Sequence, residues 1–226
     1  MSKQHIAVID YGMGNLHSVA SALAKVAPDA HIDVTQDIAN VAKADRVIFP
    51  GVGAIRDCVA EIKRLKFDEA VAKVISDGRP LLAICVGMQS LMQRSEENNG
   101  VTCLGELAGD VRFFSDNSEF NAKFDEASSS HERLKVPHMG WNQVQQKTPH
   151  AMWENIPQDS RFYFVHSYYV QVTDPNLMAA STHYGIDFTS VIARDNVFAV
   201  QFHPEKSHTH GLQLLKNFVG WNGQQN

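Results

Sequence analysis

The first half of the chain alternates short aliphatic runs with longer amphipathic stretches, and this rhythm restricts it to repeated βαβ units around a largely parallel sheet. Strands are expected at Ile6 to Asp10, Ile32 to Thr35, Arg46 to Pro50 and Pro80 to Cys85. Between them, Asn15 to Val26 and Ala54 to Ser76 repeat apolar residues every three or four positions, the mark of a helix with one buried face, with a break expected near Phe67-Asp68. In such sheets ligands bind beyond the carboxyl ends of the strands, where loops lead into helices. The segments YGMGN (11–15), FPGVGA (49–54) and CVGMQ (85–89) fall at those ends.

The second half changes pattern. Short strands are expected at Val111 to Phe114, Arg161 to Gln171, Met178 to Thr182, Ser190 to Arg194 and Val197 to Phe202, with a hairpin turn at Arg194-Asp195-Asn196. They predict an antiparallel or mixed extension of the sheet, closed by a helix from about His208 to Trp221. The polar stretch 115–135 lacks sustained periodicity and reads as an exposed, mobile loop within a single domain covering 1–226. At 226 residues and 44% hydrophobic content, one sizeable core is within reach.

A net charge of -5 without a dense Lys/Arg run argues against nucleic acid or a polybasic membrane anchor as partner. No stretch approaches the roughly 18 apolar residues of a membrane span, so a cytoplasmic protein is expected. Three cysteines without a CxxC pair give neither a disulfide framework nor a thiolate zinc site. His208 and His210 have no thiol partners at ligand spacing and read as surface residues; no metal and no cofactor is expected.

One thiol stands out. Cys85 ends the apolar run Leu81-Leu82-Ala83-Ile84, and Val86 to Met92 reads as a helix. A sulfur on this strand-to-helix turn meets the helix's unpaired N–H groups, which stabilise a thiolate. Gly87 leaves room for a sharp turn, although Ala83 stands where a nucleophile elbow has its first glycine. Alone, a cysteine here reads first as a small buried residue at the end of a core strand. His203-Pro204-Glu205 supplies what it lacks. Pro204 holds His203 extended, and residues two apart in an extended chain share a side, so Glu205 is expected to orient the imidazole towards a thiolate. An oxyanion formed on an amide carbonyl needs two N–H donors. Val86 offers one, and the Pro50-Gly51-Val52-Gly53 loop, through Val52 and Gly53, the other. Gln89, four residues beyond Cys85, faces the same way along the helix.

With PGVG, CVGMQ and HPEKS in this order, the chain resembles the class I, or triad, glutamine amidotransferases. DYGMGN (10–15), FPGVGA (49–54), CVGMQ (85–89), PHMGWN (137–142), FVHSYY (164–169) and HPEKS (203–207) are similar to the branch that supplies imidazole glycerol phosphate synthase with ammonia. The resemblance implies a flavodoxin-like α/β fold. It implies Cys85 as nucleophile, His203 as general base and acid, and Glu205 as the group orienting it. It further implies that Gly53, Gln89, Glu97, Ser167 and Tyr168 hold the substrate glutamine, with Glu96 the alternative to Glu97. The partner it implies is a cyclase barrel, HisF, in a heterodimer that keeps the glutaminase slow until the cyclase's ligand binds. Exposed aromatic and amphipathic residues favour interfaces, and Met13, Asn15, Trp141, Tyr163 and Lys206 are expected at the docking face. A cysteine peptidase on a related scaffold would share the elbow, but Gln89 and the HPE triplet favour an amidotransferase.

Overall fold

The structure is a computed structural model and describes residues 3–128 and 134–224, with side chains of 124–128 left aside. It opens with β1 (His5–Ile9), α1 (Leu16–Val26), β2 (His31–Thr35), α2 (Ile38–Lys43) and β3 (Arg46–Gly51), followed by α3 (Ile55–Arg64), α4 (Phe67–Ser76), β4 (Leu81–Cys85) and α5 (Val86–Ser90). A transitional region carries the short strands β5 (Arg94–Ser95) and β6 (Val101–Thr102), then β7 (Gly109–Phe113), α6 (Ser118–Ser128), β8 (His138–Gln143) and β9 (Gln145–Gln146). The chain ends with β10 (Arg161–His166), β11 (Tyr168–Val172), β12 (Met178–Tyr184), β13 (Ile186–Arg194), β14 (Val197–Val200) and α7 (His208–Gly220).

The main sheet runs β2-β1-β3-β4-β14-β13-β11-β7-β5-β6, with β12 pairing on β13 and β9. The β2-β1-β3-β4-β14 half is parallel, and antiparallel pairing begins between β14 and β13. Its inner strands are covered on both faces, which is why they read as unbroken apolar runs: every residue of Leu81–Cys85 and Val197–Val200 is buried. Edge strand β2 keeps polar His31 and Asp33. Helix α3 buries Ile55, Cys58, Val59 and Ile62, one face at helical spacing. It stops before α4 at Lys66, whose φ of 59° leaves the right-handed region. Acidic Asp68 and Glu69 then sit in the first turn of α4, where the helix dipole favours them.

Several expectations are corrected. The segment 115–135, expected as an exposed loop, contains helix α6; its Phe120 is buried and packs on Phe114 with ring centroids 5.2 Å apart. Residues 129–133 of that segment lie outside the described residues. The single strand expected from Arg161 to Gln171 is two: β10 pairs with β8 in a separate two-stranded sheet, while β11 joins the main sheet. The switch between sheets falls at Ser167. The helix expected from Val86 to Met92 spans only Val86–Ser90. The hairpin turn does form, with Arg194 opposite Val197.

Candidate active site

The strands converge chemically at one end of the parallel half. Cys85 ends β4 with φ 55° and ψ -112°, a conformation that L-residues adopt only under constraint. The constraint is packing of the next turn. A Cβ on Gly87 would stand 2.0 Å from the Phe49 carbonyl oxygen. Glycine therefore lets α5 lie directly against β3, and the chain has to turn sharply at Cys85 to enter it.

His203 follows β14 in extended conformation, φ -103° and ψ 97°, and Pro204–Lys206 then form a 3₁₀ turn. Here the expected reason is corrected. Glu205 reaches His203 by curling back in this turn, not by sharing one side of an extended strand. Glu205 Oε1 lies 2.8 Å from His203 Nδ1, and the two side chains are 1% and 2% exposed. The turn is fixed by Ser207, whose hydroxyl donates to the His203 carbonyl at 2.6 Å and accepts from Tyr163 N–H at 3.0 Å. Asn15 donates its amide to Glu205 Oε1 at 3.1 Å.

Burial disfavours a charged His203, but the negative charge and hydrogen bonding of Cys85, followed by those of Glu205, outweigh it and raise the pKa to about 10. Nε2 makes no hydrogen bond of standard geometry, yet it lies within the electrostatic reach of the sulfur. Burial likewise opposes ionisation of Glu205, and the His203 hydrogen bond and charge, with smaller help from its own backbone and Asn15, hold its pKa below the ordinary value. At neutral pH His203 is held as imidazolium beside the Glu205 carboxylate.

A cleft of about 350 Å³ opens over this group and is lined by Val52, Gly53, Cys85, Val86, Gln89, Glu97, Ser167, Tyr168 and His203 among others. Its volume lies at the small end of ligand sites. The sequence-expected substrate residues thus gather around the sulfur. Glu97 and Glu96 separate cleanly. Glu96 is tied to the Arg112 guanidinium and to Phe113 N–H at 3.0 Å, away from the cleft. Glu97 lines the cleft, accepts from Ile55 N–H at 3.3 Å, and burial raises its pKa. Gln89 is buried with its amide N–H₂ committed to the Tyr168 carbonyl at 3.1 Å and Gln201 Oε1 at 2.9 Å, so only its oxygen is left for a ligand. In the PGVG loop Gly53 has φ 105°, and the Val52 carbonyl accepts from the Cys58 thiol at 3.5 Å.

Of the other residues expected at a docking face, Trp141, Tyr163 and Lys206 lie together. Trp141 is 42% exposed, stacks on His208 at 5.1 Å and meets Tyr163 edge-on at 6.0 Å. Lys206 lies 6.0 Å over the Tyr163 ring. Met13 reaches the loop at Gly53. Met139, 62% exposed, lies on the outward side of β8 with Trp141 and was not singled out from the sequence. Its alternation with inward-facing His138 in PHMGWN was the available signal.

Residues 7–221 match the family model described as glutamine amidotransferase class-I. The chain belongs to the class I glutamine amidotransferases. Among curated relatives, imidazole glycerol phosphate synthase subunit HisH 1 of Pseudomonas aeruginosa is 56% identical over 221 residues, covering 98% of this chain and 99% of the relative. The subunit HisH of Acinetobacter baylyi is 55% identical over 218 residues, with 96% and 98% covered. Two solved structures share the amidotransferase fold at low identity. PurLQS from Thermotoga maritima superposes with TM-score 0.69 at 16% identity, covering 97% of this chain and 99% of that one. A structure titled glutamine amidotransferase gives 0.67 at 14%, covering 95% and 99%. The flavodoxin-like amidotransferase fold expected from the motifs is thereby borne out. Among the described residues, no helix of this amidotransferase is long and apolar enough to cross a membrane.

If Glu97 holds the substrate's ammonium group, Glu97→Gln is expected to raise KM for glutamine about tenfold, the worth of a charge-assisted hydrogen bond, with little change in kcat. Glu96→Gln is expected to leave KM unchanged. Steady-state glutamate release measures both.

Proposed function

We propose that this chain is the glutaminase subunit of an imidazole glycerol phosphate synthase, hydrolysing glutamine and passing ammonia to a cyclase subunit, HisF, in the cytoplasm. That partner makes imidazole glycerol phosphate and AICAR in histidine biosynthesis. The observation that carries the reading is the buried Cys85, His203 and Glu205 group at the floor of an amino-acid-sized cleft. Full-length likeness to curated HisH subunits supports the branch.

The Cys85 thiolate attacks the side-chain amide carbon of glutamine. The carbonyl electrons move onto oxygen, which the N–H groups of Val86 and the Val52-Gly53 loop stabilise. The C–N bond breaks as His203 gives its proton to the departing nitrogen, releasing ammonia and leaving a glutamyl thioester. Water, deprotonated by His203, then adds to the thioester carbonyl, glutamate leaves and the thiolate is restored. Glu205, fixed by Asn15, keeps the imidazole aligned and its charge balanced. Gln89 Oε1, Glu97, Ser167 and Tyr168 orient the amino acid. The cyclase docks on the surface that carries Met13, Asn15, Trp141, Tyr163 and Lys206, and the PGVG loop, which Met13 reaches, links docking to the oxyanion hole.

Because His203 must carry the proton given to ammonia, glutamine hydrolysis is expected to fall as pH rises through the histidine's pKa of about 10. Glu205→Gln removes one of the interactions that raise this value and moves the alkaline limb to lower pH. The pH profile of glutamate release with a HisF subunit and its nucleotide ligand present tests the function and the role together. Absence of glutamate release under these conditions contradicts the function, and an unmoved limb contradicts the assigned acid.

A further inference from the structure

Gln201 directly follows β14, fully inaccessible, two residues before His203. Its amide nitrogen stands 3.7 Å from Cys85 Sγ. Which end of a glutamine amide faces a sulfur is decided by the neighbours that accept or donate in one way only, and here such a neighbour exists. The Tyr168 carbonyl can only accept, so Gln89 presents Nε2 to it at 3.1 Å. The other proton of that nitrogen points to Gln201 at 2.9 Å, which must therefore offer its oxygen and turn its own N–H₂ to the sulfur. Turning Gln201 over would set two donors against each other in a buried site.

The same carbonyl is held from its other side. It accepts from His166 Nδ1 at 2.8 Å, so His166 Nε2 is an acceptor and takes the Nδ1 proton of His138 at 2.9 Å. His138 Nε2 in turn accepts from the Asn142 amide at 3.2 Å. Burial keeps both rings neutral, with pKa values lowered to about 4 for His138 and about 3 for His166. Every proton from strand β8 to the sulfur thus has one position.

Resting on the glutaminase reading above, we propose that Gln201 is a further catalytic group, whose amide N–H donates to the Cys85 sulfur, stabilises the thiolate and aims it at the cleft. Gln89 is its positioning residue, setting the direction of the donor from the Tyr168 carbonyl. The donor acts while the sulfur is negative, before attack and again when the thioester is hydrolysed. It makes no bond to glutamine.

The test is the pH dependence of Cys85 alkylation by iodoacetamide in the full chain, read on the peptide that carries Cys85. Cys58 and Cys103, whose thiols burial pushes up to about 11, do not compete at neutral pH. Gln201→Met, close in length and without a donor, is expected to move the alkylation midpoint up by about one pH unit, the value of one hydrogen bond to a charged group. It should also lower kcat for glutamine about tenfold with KM nearly unchanged. Gln89→Met, which frees the Gln201 amide to turn, moves the midpoint in the same direction and serves where Gln201→Met does not fold. An unshifted midpoint in a folded variant, or a change in KM alone, overturns the proposal for Gln201. Failure of the wild-type protein to hydrolyse glutamine, by contrast, overturns the glutaminase reading itself.

Discussion

Cys85→Ala is expected to lower glutamine-dependent synthesis, measured with the cyclase subunit, by at least about 10⁴-fold, while ammonia-dependent synthesis stays near the wild-type rate. The size of the effect follows from the chemistry: without the sulfur there is no thioester, and the remaining groups only bind and polarise the amide. The fold should survive. Cys85 is 4% exposed and its thiol is a small part of the core, and alanine meets the same positive φ with a similar Cβ. Cys103→Ala makes a chemically equal change to a buried cysteine that does not line the cleft, and it should retain glutamine-dependent synthesis. Equal loss of the ammonia reaction in Cys85→Ala would mean that the substitution disturbs docking of the two subunits.

Gly87→Ala should be the most damaging of the conservative substitutions. The added methyl would meet the Phe49 carbonyl oxygen at 2.0 Å, and a backbone oxygen in a central strand cannot swing aside as a side chain can. Either α5 moves off β3 or the sheet deforms. Overpacking of this kind costs about 3 kcal/mol, a fall in Tm of roughly 6–12 °C for a chain of this size. Activity should fall further than stability, because displacement of α5 carries both the Cys85 turn and the Val86 N–H with it. Scanning calorimetry together with glutaminase kinetics checks the two parts, and a Tm within about 2 °C of wild type would show that the close approach is not required.

Much of this architecture was legible because burial on both faces leaves a simple mark. Strands β1, β3, β4 and β14 appear as continuous apolar runs, and α1, α3 and α4 as repeating faces. Helix α2, with six residues, is too short to establish a period, and it is held by the Asp37 side chain accepting from Ala39 N–H at 2.8 Å. Strand β8 is hidden by the glycine in PHMGWN and exists through long-range pairing with β10. Helix α6 anchors on Phe120 in an otherwise polar stretch, which leaves little periodic signal.

The site shows the same division. Cys85, His203 and Glu205 were visible as residue types at telling places, but their alignment depends on a 3₁₀ turn that local sequence did not reveal. Asn15 sits 190 residues from Glu205 in the chain, so its hydrogen bond has no local signature. Gln201 did have one: it lies within the strand expected from Val197 to Phe202, two residues before His203. Sequence reasoning passed over it because a glutamine at a strand end is ordinary until its partners are known.

Quenched-turnover mass spectrometry tests Cys85 as the thioester-forming nucleophile most directly. Acid quenching of the wild-type protein during glutamine turnover with the cyclase subunit present should trap the acyl-enzyme, because low pH removes the free base that activates water. A single added glutamyl group, released by hydroxylamine, is expected on the peptide containing Cys85 and on neither of the peptides containing Cys58 or Cys103. A glutamyl group on a different residue, or glutamate release by the Cys85→Ala protein at the wild-type rate, would contradict it.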